Sequence, residues 1–248
     1  MLILFFTNCQ GKFLYENWLK NIDLFKNNQC KFIQNYNIQY IDKTLIQNCD
    51  IFIYQPVIDY TIDENDKFGL LSLLKPTCIK IGFPSIHISL WPFYEEGSKY
   101  NGAQIVYNYK KNGYRLDELL HMYDNNEFQF ELQSRFDESI AYLKNKEDKY
   151  CNCKVSKFIL THYKKTRLFD TQNHPNGIVG SYISCEICKL LNIDFLDIDF
   201  FTQQNIYVIP LKWLDSSYMN SELGLEYIID NSNNDHYRNL IASIYTGP

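Results

Sequence analysis

The sequence predicts an α/β fold in which a mostly parallel sheet is flanked by helices. Apolar, strand-like runs alternate with helix-like segments over residues 2–83, and the connections between them are short. Several of these runs are continuously apolar, which is typical of parallel strands buried on both faces. We expect a single domain over residues 1–248, with a helical insertion at roughly 115–165 and an irregular C-terminal extension at roughly 192–248.

The first third of the chain contains the predicted sheet. Four segments have the character of strands, namely residues 2–6, 31–41, 51–55 and 78–83. Helical segments separate them at residues 11–27, 44–49 and 64–74. In the first of these, Leu14, Trp18 and Ile22 recur at every fourth position, as on the apolar face of a helix.

The rest of the chain is predicted to be mainly helical. Charged segments with helical periodicity cover residues 115–150 and 154–163. Residues 167–171 then form a last short strand that returns to the sheet, and residues 176–191 form a further helix. From residue 192 onward, Pro210 and a polar cluster at 231–235 predict irregular structure.

Composition and charge exclude several classes of protein. Charged residues make up 21% and hydrophobic residues 46%, a globular balance that excludes a disordered chain. The net charge of -5 lacks the basic character of a nucleic-acid binder. No apolar run approaches the roughly 20 residues of a membrane span, and residues 1–6 lack the basic start of an export signal. We therefore expect a cytoplasmic protein whose eight cysteines are free thiols.

The first segment that could carry chemistry follows the first predicted strand. Cys9 stands between that strand and a helix, where ligands of open α/β sheets bind. The dipole and the unpaired N–H groups of a helix start would lower the pKa of this thiol. The N–H groups of Cys9 and Gln10 would also face a developing oxyanion. The alternative is a small residue packed at a strand end, as free cysteines often are.

The second segment is Arg167-Leu-Phe-Asp-Thr-Gln-Asn-His-Pro-Asn. His174 precedes Pro175, which fits the first turn of a helix. Asp170 lies four residues upstream and would orient the imidazole as the third member of a catalytic triad does. The alternative is a capping element in which Asn173 or His174 satisfies the N–H groups of the helix.

Three short motifs give the chain a family resemblance. Asn8-Cys9-Gln10 after the first strand, Gln55-Pro56 after a later one, and Asn173-His174-Pro175 resemble the WcbI family of capsular polysaccharide biosynthesis enzymes. The arrangement is also distantly similar to SGNH hydrolases, in which an Asp-x-x-His-Pro segment supplies the base. Here that segment is one residue longer. The resemblance implies a three-layer fold of the SGNH or flavodoxin-like type.

The resemblance also implies an acetyltransferase that uses coenzyme A. Cys9 and His174 would form the catalytic pair, with Asp170 behind the histidine, and would move an acetyl group from acetyl-CoA to a sugar hydroxyl. The expected residues around the substrate and the oxyanion are Asn8, Gln10, Gln55 and Asn173. For Gln55 an equally good explanation is that it is simply the polar residue that ends a strand before Pro56.

The expected cations for the phosphates of coenzyme A are few. Lys12 follows the cysteine segment, and Lys164 and Arg167 precede the histidine segment. Arg167 stands out because arginine binds phosphate in a bidentate manner and the chain has only four arginines. Lys164 has the alternative of a solvated helix end. No metal is expected.

Other residue groups have simpler explanations. Cys151, Cys153, Cys185 and Cys188 have no common zinc-finger spacing, so core packing is preferred to a zinc site. His87 lies in an aromatic loop that would either line a sugar pocket or simply pack, and packing is preferred.

Two other functions stay open. They are a thiol esterase or deacetylase of the SGNH type, and a non-catalytic carbohydrate- or partner-binding protein. The acceptor sugar and the oligomeric state are left open.

Overall fold

The chain divides into two compact units, each built from distant parts of the sequence. The computed structural model describes residues 1–36, 42–56, 70–93, 102–194, 199–203, 216–227 and 234–247. The first unit comprises residues 1–87, 141–161 and 168–211, and the second comprises residues 88–140, 162–167 and 212–248. The second unit therefore starts well before the predicted insertion at 115–165, and it also takes in most of the predicted C-terminal extension.

A four-stranded parallel sheet forms the centre of the first unit. Its strands are β1 (Leu2–Thr7), β2 (Gln29–Gln34), β3 (Ile51–Tyr54) and β4 (Ile79–Gly82), in the spatial order β2-β1-β3-β4. Thr7 lies opposite Gln34, and Tyr54 lies opposite both Phe6 and Gly82. Because the strands are parallel, all four carboxyl ends meet at one edge of the sheet. Of the predicted second strand, residues 37–41 lie outside the described part of the chain.

Helices cover both faces of this sheet because successive side chains of a strand point to opposite sides. On one face, Phe5 contacts Tyr15 and Phe25. On the other face, Phe6 packs in a cluster with Ile46. The helices concerned are α1 (Cys9–Asn17) and α2 (Asp23–Lys26) on the first face, and α3 (Lys43–Asn48) and α4 (Leu70–Leu73) on the second. The predicted α/β class with a parallel sheet flanked by helices is therefore confirmed.

Two predicted helices differ from the observed ones. The helix predicted over residues 11–27 begins at Cys9, because Asn8 caps it, and it is replaced after Asn17 by a 3₁₀ turn and by α2. For the helix predicted over 64–74, the structure describes only α4, since residues 57–69 lie outside the described part.

The histidine segment forms a small ladder of its own. Strand β5 (Phe169–Thr171) pairs in antiparallel fashion with β6 (His174–Pro175), and Thr171 lies opposite His174. Within the described residues, β5 is not part of the four-stranded sheet, so its predicted return to that sheet is wrong. Pro175 belongs to β6 rather than to the first turn of a helix. Asn176 instead caps the next helix, α9 (Gly177–Leu190), by accepting a hydrogen bond from Ile178 N–H.

The remaining helices follow the charged middle of the chain. They are α5 (Gly102–Lys111), α6 (Leu116–Asp124), α7 (Leu132–Tyr150) and α8 (Ser156–His162). Helix α5 lies before the predicted insertion. The part of α7 from residue 141 onward belongs to the first unit, where the buried Glu147 carboxylate accepts hydrogen bonds from the N–H groups of Val155 and Ser156 at the start of α8.

The second unit has an aromatic core formed by Tyr123, Phe128, Phe130, Tyr218 and Tyr237, all at least nine-tenths buried. Its C-terminal part contains α10 (Ser217–Leu223) and α11 (Asn234–Thr246), so the prediction of an irregular extension is wrong. Helix α11 packs against α5 and α6. Its buried side chains Tyr237 and Ile241 are one turn apart, which is the helical signal that the neighbouring polar cluster obscured.

None of the helices in the described ranges combines the length and the apolar character that a membrane crossing requires.

Candidate active site

Cys9 occupies the first position of helix α1, directly beyond the carboxyl end of β1. The turn is set by Asn8, whose side-chain Oδ1 accepts a hydrogen bond from the Gln10 N–H at 2.8 Å. This cap fixes the first turn of the helix and leaves Cys9 exposed at its start. The thiol therefore stands at the edge of the sheet where ligands of parallel α/β folds bind.

The Gln10 side chain ties three parts of the site together. Its Nε2 donates to the main-chain oxygens of Ile86 at 2.9 Å and of Asn173 at 2.7 Å. Its Oε1 accepts from the Ile86 N–H at 3.1 Å and from Gln55 Nε2 at 3.0 Å. Both donor hydrogens and both lone pairs of this buried amide are thus engaged within the protein.

Gln55 extends the same network beneath the cysteine turn. Its Oε1 accepts a hydrogen bond from the Asn8 N–H at 2.9 Å, and its Nε2 donates to Gln10 and, at 3.4 Å, to the main-chain oxygen of Pro84. The side chain is fully buried. The expected role of Gln10 and Gln55 as substrate-facing amides therefore changes, because neither side chain has a donor left for a ligand. Both hold the turn that carries Cys9.

His174 lies beside Cys9 although the two residues are 165 positions apart. The distance from His174 Nε2 to Cys9 Sγ is 3.6 Å. The other ring nitrogen, Nδ1, is 2.7 Å from the hydroxyl oxygen of Thr171. That hydroxyl donates its single hydrogen to Asn173 Oδ1 at 2.9 Å, so its oxygen accepts from His174 Nδ1–H. This assigns the Nδ1–H tautomer, in which the lone pair of Nε2 faces the sulfur.

Thr171, rather than Asp170, makes the described contact with His174 Nδ1. Thr171 lies directly opposite His174 in the β5–β6 ladder, so the two side chains share one side. Asp170 is the preceding residue of the strand and is buried, and the register of the ladder shifts between Phe169 and Thr171. Its proposed role behind His174 stays a prediction. The spacing alone favours Asp170. The pairing of Thr171 with His174 across the ladder is the signal that identifies Thr171.

The asparagines of the site differ from the two glutamines in their exposure. Asn173 is exposed, and Asn8 is partly exposed. Their Oδ1 atoms are used within the protein, by the Thr171 hydroxyl and by the Gln10 N–H respectively. In the described part of the structure no hydrogen bond is made by either Nδ2 group, so Asn8 and Asn173 remain candidates for contacting a substrate.

Desolvation of the sulfur by the surrounding protein atoms raises the pKa of the Cys9 thiol, although the residue as a whole is exposed. The N–H groups of Cys9 and Gln10 act in the opposite direction, as expected at a helix start, but the desolvation of the sulfur outweighs them. The expectation of a lowered pKa is therefore wrong for the protein without substrate. Cys9 rests as a thiol, and a base must take its proton when it reacts.

The predicted phosphate ligands fall in different units. Lys12 is exposed on α1 in the first unit, whereas Lys164 and Arg167 belong to the second unit. The ammonium group of Lys164 is 5.8 Å from the centre of the Tyr163 ring. The binding of coenzyme A phosphates by these three residues stays a prediction.

Of the four cysteines considered as a zinc site, Cys153 and Cys188 are buried, whereas Cys151 and Cys185 are partly buried. Burial raises the pKa of Cys151 and of Cys188 to about 12, and it also raises the pKa of Cys153 and of Cys185. Across the ranges that the structure describes, no group of three or more histidines, cysteines or acids is arranged to hold a metal ion. In the aromatic loop, Ile86 and Ile88 are buried, and His87 between them is exposed.

The comparisons with known proteins agree with the predicted resemblance. A family model described as the polysaccharide biosynthesis enzyme WcbI matches residues 2–196, which is most of the chain. The chain belongs to the WcbI family. It is therefore a member of a family of polysaccharide biosynthesis enzymes, and the resemblance predicted from the three motifs is confirmed. No curated protein sequence matches the chain.

A solved WcbI structure has a similar fold. The TM-score is 0.60 at 15% sequence identity, and the match covers 98% of this chain and 94% of the other. That structure is of a native protein without a disulfide bond between coenzyme A and one of its cysteines. At this identity the likeness shows a shared fold, and it supports the α/β class.

We expect Gln55→Met to destabilise the protein, because it leaves the Asn8 N–H and one lone pair of Gln10 without partners. Each of these two unsatisfied buried groups costs about 1–3 kcal/mol, so the free energy of unfolding falls by about 2–6 kcal/mol. Denaturant unfolding measures this. The control is Gln34→Met, at the exposed end of the neighbouring strand β2, which should change the value by less than about 0.5 kcal/mol. Equal effects of the two substitutions would contradict the bridging role of Gln55.

The raised pKa of Cys9 predicts the pH dependence of its alkylation. Only the thiolate reacts with iodoacetamide, so the alkylation rate of Cys9 should level off at a higher pH than the rate of an ordinary free thiol. Mass spectrometry of the Cys9 peptide measures this rate, and Cys9→Ala identifies the reaction of other thiols. A plateau already reached at about pH 7 would indicate a resting thiolate and would contradict the assignment.

Proposed function

We propose that this WcbI-family protein transfers an acetyl group from acetyl-CoA to a sugar hydroxyl through an acetylated Cys9. The observation that carries the proposal is the 3.6 Å approach of His174 Nε2 to Cys9 Sγ. A nucleophile, an adjacent base and a group that orients the base are the parts of a covalent acyl-transfer site. The family and the mention of coenzyme A with a WcbI structure support the choice of donor.

In the first half-reaction His174 acts as the base. Its Nε2 takes the proton from Cys9 as the sulfur attacks the carbonyl carbon of the acetyl thioester. The thiolate of coenzyme A leaves and receives that proton from the imidazolium. The acetyl group is then held by Cys9 in a new thioester. One thioester bond forms and one breaks, so the exchange is nearly balanced in free energy.

The oxyanion of each tetrahedral intermediate needs hydrogen-bond donors beside the sulfur. The Cys9 N–H is one of the unpaired donors in the first turn of α1. The Nδ2 group of Asn8, the adjacent capping residue, is the second donor that we assign. Donors held before the reaction stabilise the developing charge without reorganisation.

In the second half-reaction His174 is the base again. Its Nε2 takes the proton of a sugar hydroxyl, whose oxygen attacks the acetyl carbon on Cys9. An ester forms, the bond to Cys9 breaks, and the sulfur recovers its proton from the imidazolium. Thr171 keeps Nδ1 protonated through both halves by accepting its hydrogen bond, and the imidazole therefore stays in the reactive tautomer.

The donor phosphates would be bound by the few cations that the sequence singles out. Lys12, Lys164 and Arg167 are the residues we assign to this role. The acceptor would be a sugar of a capsular or surface polysaccharide or its nucleotide-linked precursor, acetylated in the cytoplasm.

Turnover of acetyl-CoA with a sugar acceptor tests these roles. Cys9→Ala and His174→Ala should each lower kcat by about a thousandfold or more. Thr171→Val removes one hydrogen bond to the imidazole and should lower kcat about tenfold, and Thr171→Ser should restore most of the loss. The pH profile of Thr171→Val should also shift, since the tautomer and basicity of His174 change.

Other outcomes of this experiment distinguish the other functions. Hydrolysis of an acetyl ester in water without coenzyme A would indicate an esterase. Function retained in both alanine variants would indicate a binding protein, and it would contradict the proposed Cys9–His174 mechanism.

A further inference from the structure

Lys146 is a buried lysine without a carboxylate partner among the described residues. It lies on α7 in the first unit and is only 7% exposed. Its Nζ donates a hydrogen bond to Ser85 Oγ at 2.9 Å and is 5.0 Å from the centre of the Tyr142 ring. Buried charges are normally paired, because removing an ammonium group from water is costly. A neutral hydroxyl and a ring face compensate only part of this cost.

The surroundings of Lys146 contain further hydrogen-bonding groups. Burial lowers the pKa of Lys146, which is the sign of a charge that lacks compensation. His87 is exposed at the surface, but desolvation of its ring by neighbouring protein atoms lowers its pKa. The charge of Lys146 lowers that pKa further, which indicates that the two groups lie near each other. Lys146, Ser85 and His87 therefore form a group of donors, which we call the Lys146 cluster.

The Lys146 cluster is attached to the site of Cys9 and His174. Ile86 follows Ser85, and both its N–H and its carbonyl are bonded to the Gln10 side chain. Adding the hydrogen-bond and covalent bond lengths along this path places Lys146 Nζ within about 12 Å of the Gln10 amide. The same amide bonds to the main chain next to His174.

We propose that the Lys146 cluster binds a phosphate group carried by the sugar acceptor. This assignment rests on the proposed acetyl transfer, for which it names the acceptor as a phosphorylated sugar. An ammonium, a hydroxyl and an imidazole are three donors for the oxygens of one phosphate, and the anion supplies the charge that the lysine lacks.

The position favours the acceptor over coenzyme A. In coenzyme A the long pantetheine arm separates the thiol from the nearest phosphate. In a sugar phosphate or a nucleotide-linked sugar, the phosphate is attached directly to the ring whose hydroxyl reacts. The ammonium group of Lys146 is hydrogen-bonded to the loop that contacts Gln10, and this position fits the shorter distance of a sugar phosphate.

The test compares Lys146→Met with Lys144→Met by isothermal titration calorimetry. Both substitutions remove one charge from the same helix, but Lys144 is exposed. The probes are inorganic phosphate, glucose 1-phosphate, UDP-glucose, glucose and coenzyme A. We expect Lys146→Met to weaken binding of glucose 1-phosphate or UDP-glucose at least tenfold, with Lys144→Met within about twofold of the unmodified protein. The two phosphorylated sugars distinguish the free from the nucleotide-linked acceptor.

The structure also predicts how Lys146→Met affects folding. Replacing an uncompensated buried charge with an apolar side chain of similar length should leave the melting temperature unchanged or raise it. If the variant fails to fold, or melts well below Lys144→Met, Lys146 is a structural residue and the proposal is overturned. It is also overturned if no phosphorylated probe binds, or if Lys146→Met weakens only coenzyme A.

The outcome is separable from that of the proposed function. The unmodified protein could show no acetyl transfer to Cys9 while its phosphate binding still depends on Lys146. That result would refute the proposed transferase and leave a phosphate-binding site. If acetyl transfer occurs but Lys146→Met binds phosphate as well as the unmodified protein does, only the proposed phosphate subsite is refuted.

Discussion

The paired amides of Gln10 and Gln55 are the interaction on which the site depends. They lie at the carboxyl ends of β1 and β3, and between them they hold the Asn8 turn, the Ile86 loop and the main chain beside His174. A buried amide network is stable only when every donor and acceptor is satisfied. Every donor and acceptor of the Gln10 amide has a partner. The network therefore fixes Cys9 and His174 relative to the ends of the sheet strands.

The network also explains how an ordinary pair of side chains becomes reactive. Desolvation of the sulfur raises the pKa of Cys9 and favours its thiol form, which is less reactive toward oxidation and alkylation than the thiolate. The hydrogen bond from His174 Nδ1 to Thr171 leaves Nε2 ready to take the proton when an acyl group arrives. Reactivity therefore arises from geometry during attack, and not from a permanently lowered thiol pKa.

The sequence predicts those parts of the site that depend on residues close together in the chain. Cys9 and His174 follow strand ends beside distinctive neighbours, and the parallel sheet follows from apolar strands alternating with helices. The hydrogen bond between Gln10 and Gln55 joins side chains that are 45 residues apart in the chain. A local sequence pattern therefore cannot predict it. The role of Thr171 depends on the pairing of two short strands. Pro175 instead suggests that a helix begins directly after His174. Helix α11 was missed because a polar cluster precedes its apolar face.

The central claim is that Cys9 carries the acetyl group, and intact-mass spectrometry tests it most directly. The protein is incubated with acetyl-CoA in the absence of an acceptor. The account predicts one added acetyl group located on Cys9, lost when a sugar acceptor is supplied, absent in Cys9→Ala and formed much more slowly in His174→Ala. An unmodified protein that turns over acetyl-CoA equally well with and without Cys9 would contradict it.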